Sequence, residues 1–173
     1  MDDKARFSLY EKLYFHEIDR KEKLLSRLSM PLAMIAGLLS FFGYLLSKAP
    51  VSDTGWPYVF FWVFYDCAFI SFALALWYFR KAWIRGNFDY VLPVLSRLED
   101  HRERELKPHF QSDVEGLDAY FETVILDYYV RGATINATNN DERTNAIDQL
   151  SKFVALCAVL AMLSFIPFFI ASH

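Results

Sequence analysis

One acid stands inside an otherwise uncharged run. Asp66 is the only charged residue between Pro57 and Phe79, in PYVFFWVFYDCAFISFALALWYF. If this run is a helix crossing a bilayer, Asp66 lies nine residues beyond Pro57, or about 14 Å at 1.5 Å per residue. That depth is near the midplane, where a bare carboxylate costs at least ~2.5–3.5 kcal/mol on insertion scales. Neither this run nor the apolar runs 28–47 and 153–172 contains Lys, Arg or His, so the chain offers no ion pair at that depth. Two readings follow. Asp66 is a pore-lining or gating acid facing water in an oligomer, or it is a neutral acid tying helices together through groups such as Ser40, Tyr44 or Ser164.

A second polar cluster lies in RGATINATNNDERTNAIDQLSK, from Arg131 onward. Asn136 and Asn140 are one helical turn apart and share a face with Arg143. Asn is only a modest helix former, so its density here needs a reason. Either the face is solvated, or the amides bond between helices, within the chain or between subunits. Asn136, Asn140 and Arg143 are therefore candidate subunit or partner contacts.

Other chemistry is sparse. His16, His101, His109 and His173 are scattered. His101 and Glu105 are spaced for a helix-surface pair, without a third residue at metal-binding spacing. No Ser stands in a GxSxG turn, and there is no Gly-rich phosphate loop. Cys67 and Cys157 fall inside apolar runs with nothing near them in sequence to lower a thiol pKa. The expectation is a protein that is not an enzyme, with no metal and no cofactor.

The elements that must position these residues follow from composition. The chain has 173 residues, 54% of them hydrophobic and 18% aromatic, yet 23% are charged. The apolar and charged residues are thus segregated into blocks. A net charge of −3 argues against direct nucleic-acid binding through phosphate neutralisation. Three runs approach the roughly 20 apolar residues that a membrane span needs. The reading is an all-α integral membrane protein with transmembrane helices at 30–47, 57–79 and 153–172. A soluble core helix would keep a polar face, and these runs are apolar all round.

Orientation follows from the flanking cations. Lys12, Arg20, Lys21, Lys23 and Arg27 precede the first span, and the loop 48–56 holds only Lys48. Arg80, Lys81, Arg85 and Arg97 follow the second span. Arg143 and Lys152 precede the third, and no Lys or Arg follows it. The N-terminus is therefore expected to be cytoplasmic and the C-terminus external, with 80–152 forming a cytoplasmic helical domain.

Residues 1–29 read as an amphipathic helix, with Phe7, Tyr10, Leu13, Tyr14, Ile18, Leu24 and Leu25 at helical spacing. Its mixed charges favour packing on other helices over lying in the headgroup layer. In the external turn, Asp53 and Thr54 are plausible caps and Pro57 suits the first turn of the next helix. The second span is expected to continue as a helix through 80–106, bent at Pro93, with Trp83, Ile84, Phe88, Val91, Leu92, Leu95 and Leu98 as its apolar stripe. Lys107-Pro108 should then break it. Ser112 with Glu115 resembles a capping box opening the next helix. That helix is expected to run on into the third span, with Gly132 as a possible break and Pro167 as a possible kink. Ala33 and Gly37, Ala36 and Ser40, and Ser71 and Ala75 are spaced as small-residue helix contacts.

With YEKLYFHEIDRKEKLLSRLSMPLAMIAGLLS at 10–40 and the Asn-rich helix feeding the third span, the layout resembles small bacterial membrane effectors of anti-phage systems. These include SLATT-type proteins and the effectors of retron and cyclic-nucleotide systems. The resemblance is architectural, and SLATT-type proteins more usually have two spans. It implies a homo-oligomer in the bacterial inner membrane, silent until a cytosolic regulatory protein or signal releases it, which then disrupts or depolarises the bilayer. The alternatives are a scaffold subunit recruiting a cytosolic partner, or an accessory subunit of a channel or transporter.

Overall fold

A computed structural model describes residues 2–47, 49, 55–84, 90–110 and 113–171. Among them every regular element is helical. In chain order these are α1 (Asp3–Ser26), α2 (Ser29–Ser47), α3 (Trp56–Ile84), α4 (Leu95–Asp100), a π-helical segment (His101–Leu106), α5 (Lys107–Phe110) and α6 (Val114–Ala171). Three stretches are long and apolar enough to cross a membrane: Lys4–Ser47, Trp56–Ile84 and Val114–Pro167. Asp53, Thr54, Phe88, Ser112 and His173 lie outside the described residues.

The chain divides into two compact units, Met1–Glu22 with Gly86–Asp141, and Lys23–Arg85 with Glu142–His173. Both α1 and α6 contribute to both units. The second unit is built on the apolar runs. Its core gathers Ile35, Phe42 and Leu45 of α2, Phe61, Tyr65, Ala68 and Phe72 of α3, and Leu150, Val154, Cys157 and Ala161 of α6. Phe42 sits edge-on to Tyr65 and Phe72, with ring centroids 5.4 and 5.5 Å apart, a favoured aromatic geometry. Tyr78 stacks on Phe153 at 5.5 Å. Ser71 and Ala75 are buried, as their spacing suggested, and let helices approach closely. Ala33, Ala36, Gly37 and Ser40 face outward instead. Pro57 takes the first turn of α3, where its missing N–H costs no helical bond.

In the first unit, the Phe7 and Tyr14 rings of α1 each lie 5.6 Å from that of Tyr129 on α6. Leu106 of the π segment and Leu117 of α6 are buried as well. Arg102 of the π segment bonds Asp118 of α6 at 2.7 Å, and its guanidinium lies 6.0 Å from the Phe121 ring. This end of α1 therefore packs on protein, as its mixed charges suggested.

Three local expectations are corrected. The helix of the second span does not continue through 80–106. It ends at Ile84, and residues 90–94 are non-helical before α4 begins. Pro93 disfavours helical geometry for Leu92, and Val94 is extended, with ψ 139. Pro108 does not break the helix ahead of it. The preceding turn widens into the π segment, where the Lys107 N–H donates to the Arg102 carbonyl. The wider turn relieves the crowding that a proline ring imposes on the carbonyl four residues back. The helix then ends two residues later, at Phe110. The cap of α6 is Asp113, whose Oδ1 accepts from the Gly116 N–H at 3.0 Å. From there α6 passes Gly132 unbroken and runs 58 residues.

Candidate functional site

The polar residues of the first unit converge on the short segment before Pro93. A chain there that is neither helix nor strand must still satisfy its backbone groups. Asn136 does this for Tyr90. The Tyr90 N–H donates to Asn136 Oδ1 at 2.9 Å, and Asn136 Nδ2 donates to the Tyr90 carbonyl at 3.0 Å. An amide is the side chain for this task because it carries one acceptor and one donor side by side. Two residues on, the Leu92 N–H donates to the Tyr14 hydroxyl at 3.1 Å. Tyr14 is itself buried, with its ring against the backbone of α6 at Gly132. A Cβ at Gly132 would lie 2.6 Å from Tyr14 Cε2 and 3.1 Å from Tyr90 Cδ1. Gly132 is therefore a close-approach position rather than a helix break.

One turn along α6, Asn140 grips α1. Its Nδ2 donates to the Glu17 carbonyl at 2.8 Å and to Glu17 Oε2 at 3.0 Å. Arg20 adds an ion pair, with Nη2 donating to Asp141 Oδ1 at 2.6 Å and Nη1 to Glu17 Oε2 at 3.4 Å. Around these bonds lies a cleft of about 190 Å³ lined by Glu17, Ile18, Lys21, Tyr90, Val91, Asn136 and Asn140. Burial pushes the phenols of Tyr90 and Tyr129 above the ordinary tyrosine value.

Asn136 and Asn140 are 4% and 1% exposed. Of the readings open for them, the geometry supplies hydrogen bonding within the chain. Arg143, on the second unit's part of α6, is fully buried. The residues that sequence reasoning missed are Glu17, Tyr90 and Leu92, and the hydroxyl role of Tyr14. Pro93, which disfavours helical geometry for its predecessor, was the signal that backbone partners were needed there.

Asp66 stands apart, in the second unit. The buried face of α3 carries Phe61, Tyr65, Ala68, Phe72 and Ala75. At 100° per residue, Asp66 lies about 140° round the helix from the centre of that face, and its side chain is exposed. Among the described residues it makes no hydrogen bond or ion pair. The Ser40 and Ser164 hydroxyls donate to the Ala36 and Ala161 carbonyls on their own helices.

His101 Nδ1 and Glu105 Oε2 lie 2.8 Å apart on an exposed helix face, as their spacing suggested. Cys67 is exposed, while Cys157 is buried. Among the described residues, no three His, Cys, Asp or Glu side chains come together as a metal site. Comparison with family models, curated proteins and solved structures finds no match to this chain.

Proposed function

We propose that the chain is a three-span protein of the bacterial inner membrane that acts on that membrane, with its first unit in the cytoplasm as the controlling part. A cytosolic regulatory protein holds the first unit at rest, and release from it, as when the chain is made without that protein, changes the packing of the spans and depolarises the cell. The single observation that carries this reading is α6, one helix of 58 residues shared by both units. A helix continuous between a soluble unit and a membrane unit is a path along which a change in one reaches the other. The cleft at Asn136 and Asn140 is where α1, α6 and the segment before Pro93 are bonded together, so it is the place where a signal would act. The resemblance to anti-phage membrane effectors supplies the biological setting.

The test is growth of bacteria induced to make the chain alone, with insertion confirmed by membrane fractionation. The expected outcome is growth arrest without lysis of uninduced cells. Normal growth with the chain abundant in the membrane would speak for a scaffold subunit instead.

A further inference from the structure

The outward face of α3 is regular. Val59, Val63, Asp66, Ile70, Ala73 and Trp77 follow one another at spacings of four and three residues, and all are exposed. This is the repeat by which a helix packs along another copy of itself, and β-branched and small residues suit it. The acid sits in the middle of the seam, flanked by Val63 and Ile70. Ionisable residues within membrane spans almost always face a bundle interior or a water-filled cavity, and here the chain's own interior lies on the other side of the helix. Neither a second copy nor the chain itself supplies a cation at that depth, because the three apolar runs contain no Lys, Arg or His. Water is then what stabilises the carboxylate, and the wall that keeps lipid from it must be more protein. Rotational symmetry brings the same seam of every copy to a common axis, so further copies complete the site without a foreign chain.

We infer that this seam lines a water-filled lumen closed by several copies of the chain, with Asp66 as its ring of carboxylates. The occupants are water and small cations, which rings of acids favour over anions, and Val63 and Ile70 form apolar constrictions on either side. The inference deepens the proposed membrane activity and rests on it only in placing α3 in a bilayer.

The experiment uses the full chain in native membranes and takes Cys67 as an internal reference. Cys67 is exposed at the same depth but lies off the seam. A Cys157→Ala chain reports on Cys67. An Asp66→Cys, Cys67→Ser, Cys157→Ala chain reports on the seam, and Ile70→Cys in place of Asp66→Cys keeps the acid. Each is treated with a charged methanethiosulfonate and, separately, with a short bis-maleimide. Thiols need water to form the reactive thiolate, so both seam positions are expected to react at least about tenfold faster than Cys67. Both are also expected to form covalent dimers of the chain. Equal labelling at all three positions, dimers without labelling, or cross-links to a different protein would each overturn the inference. If the seam fails while induced cells still lose their potential, the inference falls and the membrane activity stands. If the seam cross-links and labels in cells that keep their potential, the reverse holds.

Discussion

Asn136 replaces a whole strand's worth of pairing for one residue, and its removal is correspondingly costly. Asn136→Ala leaves the part-buried Tyr90 N–H and carbonyl without their side-chain partner, a loss of roughly 1–3 kcal/mol at ~0.5–1.5 kcal/mol for each bond. The check is hydrogen exchange at the Tyr90 and Leu92 amides, which are expected to lose protection while amides of the spans keep theirs. Gly132 gives a sharper contrast, because two effects of opposite sign compete there. Helix propensity alone would reward Gly132→Ala by about 1 kcal/mol. The added methyl meets two stiff rings, at 2.6 Å from Tyr14 and 3.1 Å from Tyr90, and overpacking of this kind costs ~1–3 kcal/mol. The net expected outcome is destabilisation of the first unit, measured by its thermal unfolding in detergent. A stabilised variant would show that Tyr14 does not sit on the α6 backbone.

At the scale of elements, the aromatic packing of α1 on α6 sets an alkaline limit. Tyr90 and Tyr129 both have phenols raised above the ordinary 10.0, with burial the largest cause in each. A neutral acid held above its unfolded pKa contributes stability that is complete below that value and is lost as pH climbs through the folded value. The first unit is therefore expected to loosen above about pH 10, in step with phenolate absorbance, and Tyr129→Phe should delay the loss. The elements themselves differed in how openly the sequence declared them. The three apolar runs were legible because each holds at most one charged residue, Asp66 in the second, over a membrane's thickness. The continuity of α6 was legible because, Gly132, Pro167 and the Asn-rich stretch apart, the sequence there is helix-compatible. The segment before Pro93 was not, because what holds it lies 46 and 78 residues away in sequence, at Asn136 and Tyr14. The apolar stripe through Val91, Leu92 and Leu95 fits a helix equally well, and Pro93 alone argues otherwise. Pro108 misled in the opposite direction, since a π turn accommodates it and no residue pattern announces one. For the candidate site, the polar face of Asn136 and Asn140 was visible, but its partners on α1 were not.

On the scale of the whole molecule, α6 belongs to both units, and that sharing is the basis for the proposed control of membrane action. Asn145 is exposed on α6 just beyond the boundary of the first unit. A proline there removes one helical bond and crowds the preceding turn, costing ~3 kcal/mol or more and interrupting the rod. The measurement that bears most directly on the central claim is membrane potential in bacteria, read with a voltage-sensitive dye after inducing the parent chain or Asn145→Pro at matched membrane levels. The expected result is rapid depolarisation by the parent and a response altered by the proline. An undisturbed potential with the parent chain fully inserted would contradict the claim that this protein acts on the membrane it spans.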